Sequence, residues 1–230
     1  MATQTPPCTL PEALIPHLRS QPHVGQDRWL YENMFGPGCP FEPKGSTGVF
    51  VDVGAYGEEG SNTWLFEKGL GWSGILIEPN PKQVLELQAK RTANVIQCAV
   101  DAEPGERPFL QIVGPNQQLS GLLDNYDPRW KAMLEQQHKV HKNEQNVLQV
   151  PCRRLQDIFD EHNITRVDYM SVDTEGSEMR VLQSVDWERM DIRVITVEDA
   201  HSDLPAPAYL ATKGYTVVHR KWPDIFFAKS

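Results

Sequence analysis

The sequence predicts an α/β domain in which helices cover a mostly parallel β-sheet. Short apolar runs rich in β-branched residues alternate with helical patterns, which is typical of a parallel sheet. The 230 residues are 40% hydrophobic and 23% charged, close to the average of globular proteins, so wholesale disorder is excluded. We expect one domain over residues 48–230 and an N-terminal arm over residues 1–47 that packs on it.

The first half of the predicted domain contains three strands and two helices. The strands are predicted at 49–54, 74–78 and 94–100. Ser61 and Asn62 offer capping side chains to the first helix. Pro81 begins the second helix, because proline is accepted in a first helical turn. The order strand, helix, strand, helix, strand predicts a parallel sheet with covering helices.

The second half repeats this alternation and then ends in a hairpin. Strands are predicted at 107–114, 147–150, 167–173, 192–198, 215–220 and 225–228. Helices are predicted at 155–159, 179–185 and 204–213. The segment 118–130 is predicted to be a loop, and 135–146 an exposed helix end or loop. The two last strands follow each other closely, which favours an antiparallel pair.

The charge balance argues against a nucleic-acid-binding or membrane-binding protein. Lys and Arg total 22 against 31 Asp and Glu, a net charge of −9, which does not suit a broad basic surface. No run of about 18 apolar residues predicts a membrane span. The four cysteines form no CxxC pair, so neither a zinc site nor a disulfide scaffold is expected. Without a signal-peptide pattern, we expect a soluble, cytoplasmic protein.

Acidic residues follow three of the predicted strands. Asp52, Glu78 and Asp173 lie where ligands bind in open parallel sheets, beyond the carboxyl ends of strands. The glycine-bearing turn 52–60 is acidic and lacks Lys and Arg, so it suits a cationic nucleoside better than a pyrophosphate. Glu78 can accept hydrogen bonds from both ribose hydroxyls. These features predict S-adenosylmethionine, whose sulfonium and amino groups are cationic, and they disfavour a nucleotide-sugar or dinucleotide enzyme.

The residues of this site resemble the FkbM family of methyltransferases. The blocks that carry the resemblance are 26–27, 49–55, 60–63, 66–68, 70–74, 77–81, 119–122, 167–178, 195–198 and 224–227. The most specific block is Asp-x-Glu-Gly-x-Glu at 173–178, together with the upstream glycine motif. The resemblance implies a class I methyltransferase (Rossmann-like) fold, a three-layer sandwich whose mostly parallel seven-stranded sheet has an antiparallel C-terminal strand. It also implies O-methylation of a hydroxyl on a sugar, a glycan or a polyketide-like small molecule.

The same resemblance implies which residues bind the cofactor. The methionine side would be lined by Asp52, Gly54, Tyr56, Ser61 and Asn62. Glu78 would hold the ribose, and Ala99 and Asp101 would lie near the adenine. The family's first motif often continues with His-Asp-Gly, whereas Tyr56-Gly57-Glu58 follows here, so the role of Tyr56 stays open.

The candidate catalytic residues are Asp173, Glu175 and His201. Asp173 would orient the acceptor hydroxyl and receive its proton, with His201 as the alternative base because imidazole titrates near neutral pH. Glu198 follows the next strand and would complete the acceptor rim. Carboxylates in these loops suit Mg²⁺ or Ca²⁺ chemically, but no fixed ligand spacing supports a metal, and none is predicted. A catalytically silent interaction module of the same fold remains the alternative.

Overall fold

A seven-stranded sheet forms the centre of the fold, in a computed structural model that describes residues 8–20, 25–43, 47–141 and 144–230. The strands are β1 (Val49–Val53), β2 (Ser73–Ile77), β3 (Asn94–Ile96), β4 (Ala99–Val100), β5 (Gly105–Val113), β6 (Gly121–Leu122), β7 (Glu144–Arg153), β8 (Arg166–Val172), β9 (Asp191–Glu198), β10 (Tyr215–Lys221) and β11 (Asp224–Lys229). The helices are α1 (Gln26–Leu30), α2 (Pro81–Lys90), α3 (Pro128–His141), α4 (Leu155–Glu161), α5 (Glu178–Gln183) and α6 (Ala206–Ala211). Two π-helical turns add Tyr31–Phe35 and Leu65–Gly69.

The central sheet is mostly parallel and has the order β10-β11-β9-β8-β1-β2-β3. β1 lies between β2 and β8 and pairs parallel with both. β11 pairs antiparallel with β9 and with β10. The predicted α/β class with a mostly parallel sheet is therefore confirmed. Among the described residues, none of the helices is long and apolar enough to cross a membrane.

Alternate residues of each central strand pack into two cores, one on each face of the sheet. In β1, Val51 belongs to the core under α4, α5 and α6, whereas Phe50 belongs to the core under α2 and the arm. Both side chains are fully buried. This period-two burial explains why the central strands consist almost entirely of apolar residues.

The predicted strand 94–100 is only partly correct, because the chain leaves the central sheet in its middle and forms two short strands. β3 ends at Ile96, whose carbonyl accepts hydrogen bonds from the backbone N–H of Glu78 and of Cys98. β4 then joins a second sheet of order β4-β7-β5-β6. The predicted loop 118–130 is also only partly correct, because it contains β6 and the first turn of α3.

The described part of the N-terminal arm packs on the second core. Leu30 and Phe35 are buried there. The Trp29 ring stacks on His219 of β10 at 4.4 Å and meets Phe226 of β11 edge-on at 4.8 Å. The arm is therefore fastened to the C-terminal hairpin. Residues 1–7, 21–24 and 44–46 of the predicted arm lie outside the described residues.

Candidate functional site

A cleft of about 240 Å³ lies beyond the carboxyl ends of the parallel strands. Gly54 follows β1, Glu78 follows β2 and Asp173 follows β8, and all three border it. The opposite wall comes from the second sheet, with Ala99 of β4 and Phe109 of β5. The cleft thus opens at the place where ligands bind in open α/β sheets.

The walls of this cleft are strongly acidic. Six carboxylates border it: Glu59, Glu78, Asp173, Glu175, Glu198 and Asp224. Within the described part of the chain, no Lys, Arg or His borders it. A phosphate or pyrophosphate would meet repulsion there, whereas a cationic ligand would be attracted.

The structure brings most of the predicted site residues together. Those that border the cleft are Gly54, Tyr56, Asn62, Glu78, Ala99, Asp173 and Glu175. Those that do not are Asp52, Ser61, Asp101 and His201. The surroundings of these four residues explain why they do not border the cleft.

Glu78 is a buried carboxylic acid at the edge of the cleft. Its Oε1 accepts a 2.7 Å hydrogen bond from the Asn80 backbone N–H, which turns the chain into α2. Burial, reinforced by the negative charges of Asp52 and Asp173, raises the pKa of Glu78 to about 8. The side chain is therefore fixed in place but has spare hydrogen-bonding capacity toward the cleft.

Gly54 is required by the protein's own packing. Its φ of +85° favours glycine, and a Cβ there would lie 1.7 Å from the Asp173 carbonyl oxygen. The turns after β1 and β8 therefore touch backbone to backbone. A larger residue at position 54 would disturb both turns. A substitution there would therefore change the local fold together with any ligand contact, and the two effects could not be separated.

Asp52 and Ser61 face a buried network behind the cleft. The Asp52 carboxylate accepts a 2.6 Å hydrogen bond from the Thr63 hydroxyl. Arg91 donates to the Ser61 and Thr63 hydroxyls at 3.1 and 3.0 Å. Neither residue borders the cleft, and their predicted place on the methionine side stays a prediction. In the structure both residues support the turn that carries Asn62.

Glu67 completes this network and is fully paired. It forms an ion pair with Arg91, whose side chain is 0% exposed. Its Oε1 also accepts hydrogen bonds from the Thr92 backbone N–H and hydroxyl. Burial opposes ionisation, but the Thr92 hydrogen bonds and the Arg91 charge lower the pKa of Glu67 to about 2. We call Glu67, Arg91 and Thr92 the paired region.

Asp101 is likewise held by protein groups. It is fully buried, and its Oδ1 accepts a 2.6 Å hydrogen bond from Arg180 of α5. The Asn125 side chain donates to Oδ2 at 3.1 Å, and the Glu103 backbone N–H donates to Oδ1 at 3.0 Å. Asp101 does not border the cleft, and its predicted place near an adenine stays a prediction. The residue ties β4 to α5.

Three carboxylates meet on the floor of the cleft. Asp173, Glu175 and Glu198 each place an oxygen within 4.8 Å of the oxygens of the other two. Asp224 borders the cleft beside them. These four residues are called the acidic cluster below. No Lys or Arg from the described residues forms an ion pair with any of them, in contrast to Glu67.

The acidic cluster holds its carboxyl groups in an unfavourable environment for charge. Burial, with the charges of Glu178 and Asp52, raises the pKa of Asp173 to about 7. Burial and the Asp173 charge raise the pKa of Asp224 to about 8. Burial and neighbouring acids also raise the pKa values of Glu175 and Glu198. Asp173 and Asp224 are thus poised near neutral pH, as general acids and bases often are.

His201 lies in a separate depression next to the cleft. That depression is bordered by Asp127, Arg129 and Asp203, and Glu198 borders both spaces. Arg129 bridges Asp127 and Asp203 with hydrogen bonds of 2.8 Å to each. His201 and Asp173 therefore do not border the same cleft, and the choice between the two predicted bases stays a prediction.

Sequence reasoning missed several residues of the cleft. Gln26 reaches it from the arm, and Phe109 and Leu122 form its apolar wall. Asp224 joins it because it pairs with Glu198 across the antiparallel β9–β11 ladder, and opposite residues of such a pair point to the same face. For Gln26, the resemblance of the arm segment was the available signal. For Asp224, the signal was the Asp-Ile-Phe-Phe block.

Known proteins are similar to this chain over part or most of its length. A family model described as Methyltransferase FkbM domain matches residues 52–216, well over half of the chain. A protein of Beauveria bassiana (strain ARSEF 2860) named Methyltransferase 1 is 35% identical over 98 residues, which cover 40% of this chain and 39% of that protein. The chain thus spans about two fifths of the length of this curated relative. No solved structure matches the chain.

Proposed function

Because this chain belongs to the FkbM methyltransferase family, we propose that it is an S-adenosylmethionine-dependent O-methyltransferase with a class I fold. The observation that carries the proposal is the charge of the cleft. Six acids and no basic residue border it among the described residues, which suits the sulfonium and amino groups of S-adenosylmethionine. Bound there, S-adenosylmethionine supplies an electrophilic methyl group.

In this proposal the cofactor lies across the strand ends. The Glu78 carboxylate accepts hydrogen bonds from the ribose hydroxyls. The turn after β1, with Gly54, Tyr56 and Asn62, lines the methionine side. The apolar wall of Phe109 and Leu122 packs against the adenine, since aromatic and aliphatic side chains supply the apolar area that such a base needs.

Asp173 is proposed to serve the acceptor. Its carboxylate orients the acceptor hydroxyl in line with the methyl group. The bound cofactor would supply the methyl group and keep the sulfur, and Asp173 would take the proton that the acceptor hydroxyl loses. The raised pKa of Asp173, about 7 because of burial and neighbouring acids, makes it a better proton acceptor than an exposed aspartate.

The acceptor class follows from the family alone. We propose a hydroxyl of a sugar, a glycan or a polyketide-like small molecule. A nucleotide-sugar or dinucleotide enzyme is disfavoured, because its phosphates would face the carboxylates of the cleft. A catalytically silent module is disfavoured by the presence of Gly54, Glu78 and Asp173 at the cleft.

Ligand binding and methyl transfer test the proposal in two steps. Calorimetry should show saturable binding of S-adenosylmethionine and S-adenosylhomocysteine, and none of NAD or UDP-sugars. Incubation with S-adenosylmethionine carrying a labelled methyl group should then label hydroxylated acceptors from a panel of glycans, lipids and small metabolites. Binding of NAD or a UDP-sugar in place of S-adenosylmethionine would contradict the proposal. Cofactor binding without label transfer across the panel would favour the silent module.

A further inference from the structure

We propose that Asp173, Glu175 and Glu198 bind one hard divalent cation, of the Mg²⁺ or Ca²⁺ type, on the floor of the cleft. Their three oxygens lie within 4.8 Å of one another. That spacing matches oxygens around a single ion, because ligands at 2.0–2.6 Å from a centre lie no more than about 5 Å apart. The donor set is all oxygen and anionic, which these cations prefer over soft or nitrogen-seeking metals.

Asp224 supplies independent support for a cation at this place. It is not one of the three acids whose oxygens lie within 4.8 Å of one another, and the residue is only 8% exposed. Across the β9–β11 ladder it lies opposite Glu198 and borders the same cleft. Among the described residues, no donor forms a hydrogen bond or ion pair with its carboxylate. A buried carboxyl group without a partner is costly, and a cation in the cleft is the partner that the arrangement lacks.

Glu175 gives a second sign of an incomplete site. Its Oε2 is buried and has no hydrogen-bond partner among the described residues. Its neighbour Glu178 differs, because the Glu178 Oε1 accepts three hydrogen bonds of 3.0 Å, from the Thr174 backbone and hydroxyl and from the Gly176 backbone. Glu178 therefore shapes the loop, whereas Glu175 is left with a free oxygen at the cleft.

A cation at this position would present its remaining coordination sites to the cleft. Acceptor hydroxyl oxygens can take those sites, so Asp173 would orient the acceptor through the ion. This role rests on the proposed methyl transfer. Cation binding does not, because the three ligands all belong to this chain and no cofactor or acceptor is needed.

Calorimetric titration of the full chain with MgCl₂ and CaCl₂, without cofactor or acceptor, tests the site. We expect saturable 1:1 binding of at least one ion with Kd on the order of 10⁻⁴ M or tighter. Glu175→Gln and Glu198→Gln should each weaken binding at least about tenfold. Glu59→Gln is the matched control, because it removes an exposed carboxylate of the same cleft outside the cluster, and its Kd should stay within about twofold.

Two results would overturn the inference. One is the lack of saturable binding of either ion below about 10⁻³ M. The other is equal weakening by Glu59→Gln, which would indicate diffuse attraction to an acidic surface. If the ions fail to bind and Glu175→Gln instead weakens S-adenosylmethionine binding, the cluster serves the cofactor amino group. A failure of methyl transfer with intact cation binding would reject the proposed function alone.

Discussion

Glu67 and Asp224 are both buried acids, with 5% and 8% exposure, yet their surroundings are opposite. Glu67 in the paired region contacts Arg91 and accepts hydrogen bonds from Thr92. Asp224 in the acidic cluster faces other carboxylates. A buried charge without a partner costs several kcal/mol, so the acidic cluster does not contribute to the stability of the fold. The comparison separates acids that stabilise the fold through a protein partner from acids that we propose bind a ligand.

The largest effect is expected from Asp173→Asn in the acidic cluster. The amide keeps the shape but cannot take the acceptor proton, so turnover should fall by about 10²–10⁴-fold. Affinity for S-adenosylmethionine should hardly change. Single-turnover kinetics and calorimetry measure the two effects separately. If Asp173→Asn leaves turnover intact while His201→Ala abolishes it, the histidine is the base.

In the paired region, Arg91→Met should act on stability. It removes the buried cation of Glu67 and leaves only the half-buried Lys68, so the free energy of unfolding should drop by up to about 3–5 kcal/mol. Urea denaturation measures this loss. The neighbouring Lys90→Met is the control, because its ion pair with Glu86 is exposed, is screened by solvent and contributes little to stability. Equal effects of the two variants would mean that Glu67 does not depend on its partner.

Substitution of Glu78 tests whether a buried acid outside the acidic cluster also binds a ligand. Glu78→Ala should weaken S-adenosylmethionine binding roughly tenfold to a hundredfold, since it removes the acceptor of two hydroxyl hydrogens. With a pKa of about 8, wild-type Glu78 becomes ionised as pH rises from 7 to 9, so cofactor affinity should increase over that range.

The matched variants for Glu78 separate its own titration from that of its neighbours. Glu78→Gln should lose the part of this pH dependence that Glu78 causes. Glu103→Ala, which removes an exposed acid outside the cleft, should bind the cofactor normally. Unchanged affinity in Glu78→Ala would reject its role at the ribose.

The smallest effect should be a gain in stability from Asp224→Asn. Burial and the Asp173 charge raise the pKa of Asp224 from an ordinary 3.8 to about 8 in the folded state, so between these pH values the folded state holds a proton that the unfolded state has lost. This contribution to stability is fully present below pH 3.8 and is lost as pH rises through 8. At pH 8.5 the variant should therefore be more stable than wild type, and this gain should vanish near pH 4.

Thermal and urea unfolding at the two pH values measure this gain. Asp191→Asn, on the neighbouring strand, removes an exposed acid paired with Lys229 and should change stability by less than about 0.5 kcal/mol. A loss of stability in Asp224→Asn at pH 8.5 would mean that the Asp224 carboxylate stabilises the fold, as Glu67 does.

The ends of the strands can be predicted well from the sequence. The residues that pair with the acids near those ends cannot. β1, β2 and β8 are apolar runs that end next to an acid, so Glu78 and Asp173 could be placed at the cleft from local pattern alone. The roles of Asp52 and Asp101 could not be predicted, because Arg91 and Arg180 are distant in sequence. The Glu198–Asp224 contact depends on an antiparallel register that only the folded sheet defines.

The stacking of Trp29 on the C-terminal hairpin affects how the protein is made. Residues 29 and 226 are 197 positions apart, so at roughly 5–20 residues per second Phe226 is synthesised about 10–40 s after Trp29. Until then α1 lacks its docking partner, and Gln26 has no fixed place at the cleft. Asp224 is made equally late. A ribosome-bound nascent chain therefore carries an unfinished site, and ligand capture must wait until the hairpin has emerged from the exit tunnel.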